Sequence, residues 1–211
     1  IGAIVVSLLI FWVSRLDKLE DTKSKKAVLR LLKRPVYTDV GTFVNRQLIL
    51  QNIHSQISSG RVINLYGKKG AGKSEVLRVI TDIANGNGLD EFQNHLNLNL
   101  RKHKNHIAIY LECPSEESIF AHTIGLAIGM ETCGGMESAS SYLENTFNNT
   151  SLVLVIDNIV NPNMHSVVAK YVNQLLRFRP QDTVILGSVF PFQEYSLEVS
   201  LIQIEGFTEE Y

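Results

Sequence analysis

Residues 62–74, VINLYGKKGAGKS, constrain this chain more than any other stretch. Four of the first five residues (Val62, Ile63, Leu65 and Tyr66) favour strands, and the run then breaks into Gly67-Lys68-Lys69-Gly70-Ala71-Gly72-Lys73-Ser74. That octet satisfies G-x-x-x-x-G-K-[ST] at every fixed position. The spacing has a chemical reason. Gly67, Gly70 and Gly72 let the backbone turn with its N–H groups inward, and a helix beginning near Lys73 adds unpaired N–H groups and a positive dipole end. Such a nest fits a polyphosphate, with Lys73 reaching the β- and γ-phosphates and the Ser74 hydroxyl a ligand of Mg²⁺. Val76, Leu77, Val79, Ile80 and Ile83 then recur at helical spacing, so strand, loop and helix stand in the required order.

The second half of such a site is legible at residues 151–159, SLVLVIDNI. Five apolar residues, Leu152 to Ile156, make a central strand, and Asp157 falls at its C-terminal end, where open α/β sheets bind ligands. A carboxylate there holds Mg²⁺ against the phosphates, which makes Ser74 and Asp157 the expected metal ligands. Asn158 follows, at the position where rapid ATPases commonly carry a second acid. An amide cannot act as a base, although it can orient a water.

Between these motifs, the spacing predicts a strand over 107–113 and helices over 118–130 and 138–147. Beyond them it predicts a helix over 164–176, a strand over 182–189 and an edge strand over 201–204. Leu48, Ile49, Leu50, Ile53 and Ile57 predict a short helix before the first strand. The 211 residues are enough for one sizeable core, and a formal net charge of -1 gives no electrostatic footprint for nucleic acid. Cys113 and Cys133 are too few for a disulfide framework and too far apart for a metal knuckle. His95, His103 and His106 lack a carboxylate or thiol partner in the pattern, so scattered surface histidines are the expectation.

Residues 1–13, IGAIVVSLLIFWV, are uncharged and end on the aromatic pair Phe11-Trp12. As helix they span roughly 20 Å, against the ~30 Å of a bilayer core, so a membrane span here needs residues upstream of Ile1. A chain beginning at Ile rather than Met fits a fragment or a processed product. Residues 15–34 carry eight basic side chains against three acidic ones, a flank that stays on the inner side of a membrane. The reading is the end of a transmembrane helix (1–14), a basic juxtamembrane linker (15–42) and a nucleotide domain (43–211) facing the cytosol or, at a mitochondrial inner membrane, the matrix. A signal-peptide core and a buried helix of a preceding domain are the competing readings.

Phe43-Val44-Asn45-Arg46-Gln47, ahead of a helix and the phosphate loop, resembles the opening motif of the signal-transduction ATPases with numerous domains (STAND), which include NB-ARC proteins. Phe43, Val44 and Arg46 carry over; Asn45 and Gln47 stand where the family has Gly and Glu. The resemblance implies a P-loop NTPase fold: a three-layer α/β sandwich around a mainly parallel five-stranded sheet, with the strands of the two motifs close together in the centre. It places Val44 and Arg46 against adenine and ribose, and the run Gly67, Lys68, Lys69, Gly70, Ala71, Gly72, Lys73, Ser74 and Glu75 against the nucleotide. Lys73, Asp157 and Asn158 become the expected catalytic set, with ATP or ADP and Mg²⁺ as ligands. The family's arginine sensor after the fourth strand is absent, since Gly187-Ser188-Val189 stands there. Glu205 to Glu210 looks like the approach to the family's helical lid, which together with a winged-helix subdomain would lie beyond Tyr211.

Three functions follow. The first is a membrane-anchored nucleotide switch with slow hydrolysis that self-associates or binds partners through domains not in this sequence. The second is an AAA-type ATPase doing work at a membrane, and the third a scaffold insensitive to nucleotide.

Overall fold

A computed structural model describes residues 46–57, 61–87, 106–130, 134–146, 150–192 and 198–205. The expected membrane segment, the basic linker, Val44, Cys133 and the lid approach beyond Glu205 lie outside the described residues. Among the described residues, no helix is long and apolar enough to cross a membrane.

The elements run α1 (Gln47–Gln56), β1 (Val62–Tyr66), α2 (Lys73–Asn85), β2 (His106–Glu112), α3 (Phe120–Ala127), α4 (Met136–Thr146), β3 (Ser151–Ile159), α5 (Pro162–Phe178), β4 (Thr183–Ser188) and β5 (Val199–Gln203). The five strands form one sheet in the order β2-β3-β4-β1-β5, and every pairing is parallel. β4 therefore separates the phosphate-loop strand β1 from the Asp157 strand β3, an order that the spacing of motifs along the chain does not reveal.

Two cores make the three layers. On one face Ile63, Leu65, Val153, Val155 and Ile185 pack with Leu50 and Ile53 of α1 and Val76, Leu77 and Ile80 of α2. On the other, Ile109, Leu154, Ile156 and Leu186 pack with Phe120 and Ile124 of α3, Leu143 of α4 and Val168 and Val172 of α5. A strand covered on both faces needs apolar residues at every position, which is why β3 reads as an unbroken hydrophobic run.

Helix ends follow local chemistry. α5 starts at the Asn161 side chain, which accepts from the Asn163 N–H at 3.0 Å, with Pro162 in the first turn. α2 stops at Gly86, which adopts the left-handed conformation at φ 75°. The helix expected over 118–130 is shorter: it opens as a 3₁₀ turn at Glu117–Ile119 and closes before Gly129, at φ 88°. Ser118 turns its hydroxyl to the Glu116 carboxylate instead of capping a helix.

Candidate functional site

The loop between β1 and α2 forms the cradle its glycines predict. Gly70 and Gly72 both sit at φ 84°, a left-handed conformation that a side chain would strain. Gly67 is dictated by proximity, because a Cβ there would lie 2.2 Å from the Ile204 carbonyl oxygen. Lys73 folds back over the loop and donates to the carbonyls of Gly67 at 2.7 Å and Lys68 at 2.8 Å. Burial lowers the Lys73 ammonium below its ordinary range, opposed by the charge of Asp157.

Asp157 reaches the same space from β3. The route is a bulge: the three steps from Ile156 to Ile159 on β3 face the two from Leu186 to Ser188 on β4. Asn158 takes up the extra residue at φ 61°, in the left-handed region that Asn tolerates better than most side chains. The Asp157 carboxylate is 2% exposed. Its Oδ1 accepts from the Asn158 N–H at 2.7 Å, and its Oδ2 accepts from the Tyr110 hydroxyl at 2.6 Å. Burial, and then the bond to Asp157, push the Tyr110 phenol above its usual range, so it stays a donor. Gly187 makes room for this carboxylate, since a Cβ there would come within 2.5 Å of both Asp157 Oδ1 and Leu77.

A cavity of about 440 Å³ joins the two halves. Lys69, Gly70, Gly72, Lys73, Ser74 and Glu75 line one side, and Asp157, Asn158 and Ser188 the other. Of the remaining expected contacts, Gly67 and Lys68 face a second cavity, of about 470 Å³, across the loop beside Gln203 and Glu205. Ala71 is buried beneath the loop. Arg46 donates from Nη2 to the carbonyls of Ala71 at 3.3 Å and Glu205 at 2.7 Å, so it ties the loop to the segment after β5.

Sequence reasoning missed Arg78 and Tyr110. Arg78 lies one turn beyond Ser74 on α2 and lines the cavity, with its guanidinium 5.5 Å from the Tyr110 ring centre. The available signal was Tyr110 itself, a lone polar tip within the apolar strand IAIYLE. Ser188 is less free than its position implies, because its hydroxyl accepts from Asn64 Nδ2 at 2.8 Å and donates to the Phe190 carbonyl.

The donor set fits a magnesium nucleotide. The glycine loop, the start of α2 and a lysine make one wall, with a hydroxyl and a buried carboxylate to hold a hard cation.

No protein-family model matches this chain, and no curated protein matches it. Solved structures do. A chain of the Drosophila ORC bound to DNA is 14% identical with a TM-score of 0.54, the match covering 85% of this chain and 46% of that one. The Aeropyrum pernix ORC1 protein in complex with DNA is 15% identical with a TM-score of 0.52, covering 85% of this chain and 50% of that one. This chain thus spans about half the length of the solved chains it matches. At these identities the likeness shows the fold alone, and that fold is the P-loop NTPase fold.

Proposed function

We propose that this chain binds ATP and ADP with Mg²⁺ in the cavity between Lys73 and Asp157, hydrolyses ATP slowly, and acts as a nucleotide-dependent switch. One observation carries the reading: Lys73 closes on its own loop's carbonyls while a buried carboxylate with only neutral donors faces it across the cavity. Asp157 is near enough for its charge to act on Lys73, yet among the described residues neither group makes an ion pair, and a magnesium triphosphate would supply both with one.

On binding, Lys73 exchanges the Gly67 and Lys68 carbonyls for phosphate oxygens, and the N–H groups of the loop hold the remaining charge. Ser74 and Asp157 would hold Mg²⁺, which when bound neutralises charge across the β- and γ-phosphate oxygens. Arg46 connects the loop to Glu205, the first residue of the expected lid approach, and so offers a route from nucleotide to the rest of a longer protein. That link supports a switch of the STAND type; residues 1–42 as a single-pass anchor and basic linker, and self-association or protein partners through further domains, rest on the sequence pattern alone.

The likeness to the ORC chains favours a second reading, an AAA-type ATPase with a nucleic-acid partner. Salt-dependent binding of duplex DNA by the full chain tests it.

For the first reading, the full chain and Lys73→Ala are purified, the nucleotide carried through is identified, and turnover is measured with Mg²⁺-ATP. Retained ADP with slow turnover, both lost in Lys73→Ala, is the expected result. Rapid turnover moves the chain to the motor class, and no nucleotide in either protein leaves the scaffold.

A further inference from the structure

A carboxylate that takes a proton from the attacking water speeds hydrolysis, and Asn158, an amide, can orient that water but cannot take its proton. We propose that Glu112, at the tip of β2, is that carboxylate; the inference rests on the nucleotide reading above and names a further residue of the same site.

Register places it. β2 pairs with β3 so that Glu112 stands opposite Asp157, and residues in register on parallel strands point to the same face. The same face is marked two residues earlier, where Tyr110 reaches Asp157 Oδ2. Glu112 Oε1 lies 4.0 Å from Nη2 of Arg78, which lines the cavity. The Glu112 side chain is 65% exposed and that of Arg78 40%, so this contact is loose and lets the carboxylate swing toward the cavity mouth.

The other carboxylates are disqualified by position. Both oxygens of Asp157 already accept hydrogen bonds, and Asp157 is the expected cation ligand. Glu75 lies in the first turn of α2, on the wall that cradles the phosphates. An attacking water must approach the γ-phosphorus in line, opposite the leaving β–γ bridging oxygen and therefore away from the cradle. The ends of β3 and β4 line that side of the cavity, and the tip of β2, with Glu112, stands next to Asp157 on the neighbouring strand.

In the step, the water oxygen bonds to the γ-phosphorus as the bond from phosphorus to the bridging oxygen breaks. The water's proton passes to the Glu112 carboxylate, and the bond's electron pair leaves on ADP. Arg78, on the cavity wall, is the nearest cation to Glu112 and draws its carboxylate toward the cavity.

The test compares the full chain with Glu112→Gln and Glu75→Gln, reading fluorescent-ADP affinity, single-turnover ATP hydrolysis and the nucleotide recovered after purification. Glu112→Gln is expected to bind ADP within about twofold of wild type, to hydrolyse about 100-fold more slowly or less, and to carry ATP where wild type carries ADP. Unchanged hydrolysis in Glu112→Gln overturns the inference. So does a joint loss of binding and hydrolysis, a loss confined to Glu75→Gln, or a wild type that binds nucleotide without cleaving it. A wild type that binds no nucleotide is a different failure, which removes the functional reading beneath it.

Discussion

Two buried aspartates stand at opposite ends of neighbouring strands, and their partners differ. Asp182, just before β4, is fully buried and meets a guanidinium: Arg179 Nε donates to Oδ2 at 2.6 Å and Nη2 to Oδ1 at 3.2 Å. The Leu152 N–H adds a bond at 2.9 Å, and Arg179 also donates to the Thr150 carbonyl. Burial raises the Asp182 carboxyl above its ordinary value, a push that Arg179 and the Leu152 N–H oppose. Both carboxylate oxygens and the Nε and Nη2 groups are bonded within the fold, so this pair fastens the ends of β3, α5 and β4. Asp157, at the other end of β3, has one phenol and one backbone N–H, both neutral. A buried anion without a cation is costly in a structural role and useful in a site, because an incoming cation completes it.

The comparison breaks most visibly at Asp182. Asp182→Asn leaves Arg179 buried without its counter-charge and is expected to cost about 3–5 kcal/mol in urea unfolding. Tyr110→Phe removes one of the two neutral donors to Asp157 and is expected to cost about 1–2 kcal/mol by the same measurement. It also frees Oδ2, so less Mg²⁺ should be needed for half-maximal nucleotide binding. Asp157→Asn removes a half-compensated charge and should change stability by no more than about 1 kcal/mol, a far smaller effect than at Asp182. A loss at Asp157 as large as that at Asp182 would erase the distinction.

His165 supplies the smallest test. It stacks on Phe192 with ring centres 4.1 Å apart, and its buried Nε2 has no hydrogen-bond partner. Burial lowers its titration below the ordinary imidazole value of 6.5. The unfolded chain therefore takes up the proton first, so stability is full above pH 6.5 and declines as pH falls below it toward the native value. His165→Phe should remove less than about 1 kcal/mol of that acid-side decline, read as the difference in urea midpoint between neutral and mildly acidic pH.

How much of this was legible in the sequence depends on the range of the interaction. The cradle was legible because its geometry is local: the left-handed turns at Gly70 and Gly72 require glycine at those spacings. β3 was legible because burial on both faces demands a continuous apolar run, and Asp157 stood out by ending it. Tyr110, Arg78 and Glu112 were not, since their meeting depends on the register of β2 against β3 and the rotation of α2 above them. No short window of sequence carries that information. The buried pair of Arg179 and Asp182 was hidden for a related reason: Arg179 looks like an ordinary cation at a helix end, and only the β3 and β4 termini make it structural. Gly187 read as a missing sensor position, whereas the structure makes it the space that Asp157 fills.

The account turns on Asp157 being a place kept for a cation, and equilibrium ADP binding with Mg²⁺ and with EDTA, in wild type and Asp157→Asn, tests that most directly. Mg²⁺ should tighten binding about tenfold or more in wild type and leave Asp157→Asn unchanged, with the two proteins alike in EDTA. Equal tightening by Mg²⁺ in both proteins would contradict it.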